Sequence, residues 1–123
     1  MKNVNILASF KNAGHGFVYA FKEKNFKIHL AAAALALSAG LILRVGAGRL
    51  ALVLTAIFFV LCFELTNTAI EAAVDLCCGD TFHPLAKAAK DAAAAAVLLA
   101  SVFAAGAGAY VFFPAVWRLI FNG

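Results

Sequence analysis

Residues 92–113 run for 22 positions without one charged side chain. A helix needs about 20 predominantly apolar residues to cross the hydrocarbon layer of a bilayer, so this run alone predicts a membrane span. Pro84 suits the first turn of the helix that carries it, and Pro114 is expected to end it, giving a span over 84–113. Two more apolar stretches read as spans, 28–45 and 50–76, separated by Gly46-Ala47-Gly48 and followed by the loop signal Gly79-Asp80-Thr81. Three spans leave no room in 123 residues for a separate soluble domain, so residues 1–123 are expected to form one membrane domain. Composition agrees: 65% of residues are hydrophobic, 13% are charged and the mean hydropathy is +0.95. So short a soluble chain could not bury that much apolar surface. A soluble globular domain, a disordered tail and a disulfide scaffold are therefore excluded.

Residues 1–27 have a different character. Lys2, Lys11, Lys22, Lys24 and Lys27 face a single acid, Glu23, while Phe10, Phe17 and Phe21 fall on one helical stripe. That pattern predicts an amphipathic helix lying in the membrane interface. The fold class expected is thus all-α integral membrane: three transmembrane helices plus an N-terminal amphipathic surface helix. No apolar core followed by a small-residue cleavage site opens the chain, so a cleaved signal peptide is not expected. Cys62, Cys77 and Cys78 form no C-x-x-C pair and read as small hydrophobes in a reducing compartment. Placing the N-terminus and the 76–91 loop in the cytoplasm puts seven lysines inside and leaves Arg44, Arg49 and Arg118 outside, as the positive-inside rule favours. All six acids (Glu23, Glu64, Glu71, Asp75, Asp80 and Asp91) then fall in the cytoplasmic half.

Charge inside a span is costly and usually functional. In the second span Glu64, Asn67, Glu71 and Asp75 are spaced 3, 4 and 4, which sets them within about 80° of helical arc. The stripe descends from the cytoplasmic end to roughly 16 Å deep, at 1.5 Å per residue. Three carboxylates on one face repel one another and must be neutral or matched by cations. Lys90 and Asp91 at the start of the third span, and Glu23 before the first, stand at the same level. Carboxylates without a His/Cys cluster suit Mg²⁺, a hard cation that often sits on phosphate. A lysine beside them suits a polyphosphate, and a deep carboxylate suits a general base. Together these describe phosphoryl transfer at the membrane surface, with a nucleotide from the cytoplasm and an acceptor hydroxyl from lipid. Neither a Walker A loop nor the protein-kinase signature set is present. His29 reads as an interfacial side chain, His83 as a loop residue, and Lys87 with Asp91 as a surface i,i+4 pair.

At these residues the chain resembles the small prokaryotic diacylglycerol kinase family, which includes undecaprenol kinases. Residues 64–75 match the family pattern E-x-x-N-x-A-I-E-x-x-V-D at every fixed position. Ala89-Lys90-Asp91 is a second match, and Glu23-Lys24-Asn25-Phe26-Lys27-Ile28-His29 is similar to the E-x-N-x-x-I-H form of the first segment. That form, with His83-Pro84-Leu85-Ala86-Lys87, looks more like the undecaprenol-kinase branch. The resemblance implies a homotrimer in the bacterial inner (cytoplasmic) membrane with active sites shared between protomers. It implies ATP as phosphoryl donor, Mg²⁺ as cofactor and a membrane lipid alcohol as acceptor, undecaprenol ahead of diacylglycerol. By matching position, Glu64 is implied as general base on the lipid hydroxyl, Glu23 and Glu71 as metal ligands, and Asn67 as a lipid- or base-positioning group. Lys90 is implied in phosphate contact, with Asp75 and Asp91 in its supporting network. Phe82 stands where the family commonly has an aromatic hydroxyl, and the match before Gly16 is loose, which leaves Lys11 without a role.

Two other function classes fit intramembrane acids. A small ion carrier places an acid near mid-membrane, whereas these acids cluster at one face with Lys90. A purely structural membrane protein would gain nothing from Glu64 or Glu71. No nucleic-acid partner is expected.

Overall fold

A computed structural model of the chain describes residues 5–122, and among these it contains four α-helices and no strand. They are α1 (Ile6–Ala20), α2 (Lys24–Ile42), α3 (Ala47–Cys78) and α4 (Pro84–Phe121). The last three are long and apolar enough to cross a membrane. The chain is an all-α, multi-pass membrane protein with a short N-terminal helix, as its sequence predicts.

The helix ends differ from those expectations, each for a local reason. The surface helix expected over 1–27 ends at Ala20, and its first four positions, Lys2 included, lie outside the described residues. Asn5 caps its start, the side-chain oxygen accepting from Leu7 N–H at 3.1 Å. The chain then turns through Phe21-Lys22-Glu23, and α2 starts at Lys24 rather than at 28. Phe26 is fully buried in this corner, its ring edge-on to Phe21 at 5.6 Å and tilted against Phe17 at 6.5 Å. Phe17 and Phe21 of the predicted stripe therefore close the corner, while Phe10 stays exposed.

The first span ends at Ile42, not 45, in a Schellman motif. Val45 N–H donates to the Gly40 carbonyl and Arg44 N–H to that of Leu41, with Arg44 in the left-handed region at φ 52°. The second span extends to 47–78. The third does not end at Pro114: α4 continues through it to Phe121. Proline removes one donor, but a helix that stopped in hydrocarbon would leave several backbone groups without partners. Beyond Pro114, Trp117 packs between Phe113 and Phe121, at 6.0 and 4.4 Å.

The core lies between α3 and α4, with α2 against α3 and α1 touching α3. On α4 the buried positions include Ala93, Ala100 and Ala107, seven residues apart. Small residues at that spacing let two membrane helices approach closely. The buried face of α3 is Val53, Ala56, Val60, Glu64 and Thr68, so the packing face runs without a break into the acidic stripe. At the opposite end Arg49 of α3 stacks over the Tyr110 ring of α4 at 5.8 Å.

Candidate active site

The site is built on α3, one turn at a time. Glu64 lies deepest and is only 3% exposed. Its partner comes from α2: His29 Nε2 is 3.0 Å from Glu64 Oε1, a normal hydrogen-bond distance. One turn up, Asn67 donates from Nδ2 to Glu71 Oε1 at 3.2 Å. Asn67 Oδ1 is buried and is the only such side-chain atom without a partner among the described residues. At the end of the stripe Lys90 of α4 donates to Asp75 Oδ1 at 2.6 Å. The three carboxylates are thus matched one by one, by an imidazole, an amide and an ammonium group. Through them α3 is tied to α2 in depth and to α4 at the surface.

Glu23 precedes α2 at the corner held by Phe26, and its side chain makes no capping bond. The Glu23 and Glu71 carboxylates both lie near enough for their charges to act on Glu64. Asp91 does not join the Lys90–Asp75 pair; it bonds Lys87 one turn earlier on α4. Both pairs line one cleft of about 340 Å³ at the α3–α4 turn, together with Phe82 and His83. His83 caps α4, accepting at Nδ1 from Leu85 N–H, so its side chain is engaged in ending the loop.

A second cavity, of about 180 Å³, runs between α2, α3 and α4. Its walls are Ala32, Ala33 and Ala36, Val53 to Leu61 on one face of α3, and Ala104, Ala107, Gly108 and Phe112. His29 is its one polar lining residue among those described. The groove therefore reaches His29, whose imidazole bonds Glu64 behind it.

The sequence placed Glu64, Asn67, Glu71 and Asp75 on one face, and the structure keeps them there. It missed His29, which reads as an interfacial residue when taken alone. The available signal was its spacing: His29 lies three residues after the buried Phe26, so both fall on the face of α2 turned inward.

What the arrangement can do chemically follows from its parts. A buried carboxylate at the end of an apolar groove can take a proton from a group presented by lipid. Above it, oxygen donors at Glu71 and Glu23 suit a hard cation, and Lys87 and Lys90 suit phosphate. No group of three metal-ligating side chains occurs among the described residues.

The sequence pattern that defines the prokaryotic diacylglycerol kinase family matches residues 11–112. Among curated relatives, a protein named diacylglycerol kinase from Synechocystis sp. is 39% identical over 117 residues, covering 94% of this chain and 67% of the relative. A protein named undecaprenol kinase from Bacillus subtilis is 42% identical over 107 residues, covering 86% of each.

Proposed function

The chain belongs to the prokaryotic diacylglycerol kinase family of membrane lipid kinases, and from that premise we propose that it transfers the terminal phosphoryl group of ATP to undecaprenol in preference to diacylglycerol. The observation that carries the chemistry is the buried Glu64, held by His29 at the end of an apolar groove. The preference for the polyprenyl alcohol rests on the relative that matches over most of both chains and on the E-x-N-x-x-I-H segment at 23–29.

In this reading the acceptor chain lies along the alanine-lined groove and its hydroxyl meets Glu64. Glu64 takes the hydroxyl proton as the lipid oxygen forms its bond to the terminal phosphorus. The bond from that phosphorus to the bridging oxygen breaks, and ADP leaves with the electron pair. Glu71 and Glu23 are the carboxylates that would hold Mg²⁺. Their oxygen donors fit it, and Asn67 occupies only one oxygen of Glu71. Mg²⁺, when bound, offsets the phosphate charge and orients the phosphate oxygens. Lys90 contacts phosphate, with Asp75 holding the ammonium in place and the Lys87–Asp91 pair on the same cleft. Asn67 is assigned to positioning the lipid: its Oδ1, without a partner in the structure, would accept a hydrogen bond from a donor on the bound acceptor. The positive-inside distribution supports an inner-membrane orientation with α1 on the cytoplasmic side. Family membership supports a homotrimer.

The test is a competition assay. Purified protein in mixed micelles receives labelled ATP, Mg²⁺ and equal amounts of undecaprenol and diacylglycerol. Undecaprenyl phosphate is expected as the main product. Predominant phosphatidic acid would assign the chain to the other acceptor, and no labelled lipid would refute the transfer itself.

A further inference from the structure

We propose that His29 is a positioning residue for phosphoryl transfer, orienting the Glu64 carboxylate toward the acceptor hydroxyl. The proposal rests on the reading of Glu64 as general base. Its own warrant is geometric. Glu64 sits among Val60 and Thr68 on the buried face of α3, where water does not hold it. A carboxylate there rotates about its last torsion unless a donor fixes it, because terminal sp³–sp² torsions are broad. The partner with which the structure pairs it is His29 Nε2, at 3.0 Å from Oε1. Nε2 must carry a hydrogen to donate, which it does in the corresponding neutral tautomer and in the imidazolium alike.

With Oε1 engaged, Oε2 is the oxygen left to take the proton. The ring also reaches the groove between α2, α3 and α4 and is about one quarter exposed. The same imidazole therefore fixes the base and marks the end of the path by which the acceptor arrives. His29 stands on α2, one turn beyond Phe26, which itself follows Glu23 by three residues. The corner that sets Glu23 thus also sets the depth of the imidazole. In the transfer itself, the proton moves from the lipid oxygen to Glu64 Oε2, the phosphorus–oxygen bond to the lipid forms, and the bond to ADP breaks. His29 donates its hydrogen bond throughout and neither gains nor loses a proton.

The chemistry dictates the choice of variants. The Gln amide nitrogen reproduces the reach of Nε2–H, whereas Leu fills similar space with no donor. Misplacing a reacting group by about 1 Å can cost roughly 10²-fold in rate. His29→Leu is therefore expected to lower kcat by 30-fold or more (on the order of that misplacement cost), with KM for ATP and for the lipid alcohol little changed. His29→Gln is expected to recover most of that loss. A structural role alone would show as loss of folded protein in both variants, read by size-exclusion elution in detergent. The proposal is overturned if His29→Leu turns over at the wild-type rate, if His29→Gln is as impaired as His29→Leu, or if the loss lies wholly in KM. Glu64→Gln separates the two levels. If it stays active, the general base is misassigned and the role of His29 falls with it. If it is inactive while His29→Leu is active, only the His29 proposal falls.

Discussion

Replacing Phe26 by Ala should open the corner between α1 and α2 and weaken the hold on Glu23. Phe26 has no exposed surface and contacts the rings of Phe17 and Phe21. Truncating a buried Phe to Ala costs about 3–5 kcal/mol. Phe17 and Phe21 are themselves 46% and 48% exposed, so they can close part of the gap, and the low end of that range applies. At about 1.4 kcal/mol per factor of ten, about 3 kcal/mol raises the population with an undocked corner on the order of a hundredfold. Lys22 lies in the turn and Lys24 follows it, so limited trypsin digestion in nanodiscs reads that population directly when opening is fast relative to cleavage. The Mg²⁺ concentration for half-maximal activity should rise in parallel, because Glu23 sits at the same turn. Cleavage within threefold of wild type would refute the reasoning: Phe26 would then be buried without holding anything. Faster cleavage with an unchanged Mg²⁺ requirement would keep the packing argument and remove Glu23 from the metal site.

Three further outcomes are expected. Glu64→Gln should lower lipid phosphorylation by about 10²–10⁴-fold, the range of a lost general base, while the protein elutes at the wild-type position; activity above a tenth of wild type would exclude that role. Arg44→Gly should raise the melting temperature in detergent by a few degrees, because a non-glycine residue in the left-handed region costs about 1–2 kcal/mol and Arg44 has φ 52°; a fall would mean that the guanidinium makes contacts worth more than the strain. Ala33→Leu adds bulk to a groove of about 180 Å³ and should raise KM for the lipid roughly tenfold with KM for ATP unchanged; an unchanged lipid KM would place the acceptor elsewhere.

The parts of this fold that the sequence made legible are those set by one helix at a time. Uncharged runs mark spans because hydrocarbon admits no other backbone, and a 3-4-4 spacing marks a face because a helix turns about 100° per residue. Glu64, Asn67, Glu71 and Asp75 were readable for that reason. Helix ends were less so. Pro114 punctuates a soluble helix, but in a bilayer continuing past it costs less than stopping. Pairings between helices were hardest. The Lys87–Asp91 pair lies within α4 and was readable as i,i+4, but that Asp75 takes Lys90 depends on how α4 is rotated against α3, and small residues such as Ala93, Ala100 and Ala107 set that rotation without advertising it. His29 belongs to the same class: its chemistry was visible, but its partner lay on another helix.

The α3 face joins two demands that usually conflict. Its deeper half, Val53, Ala56 and Val60, packs as any apolar stripe does; the next position in the register is Glu64. An apolar residue there would continue the packing and spare the desolvation of a carboxylate, and replacing buried charges by well-packed hydrophobes is often neutral or stabilising. The polar pair is therefore not explained by stability. Nor is it explained by targeting, because Glu64 lies too deep to solvate a helix end. Under the proposed function, the position offers a carboxylate held at fixed depth, where an acceptor hydroxyl carried by lipid would meet phosphate carried by water. The depth is set from both sides, by His29 on the helix that enters the membrane at Glu23 and by the Lys90–Asp75 pair that pins α4 about 16 Å higher along α3. Three of the six acids, Glu64, Glu71 and Asp75, accordingly share that face of α3, while Glu23 precedes α2, Asp80 lies in the α3–α4 turn and Asp91 on α4 is taken by Lys87.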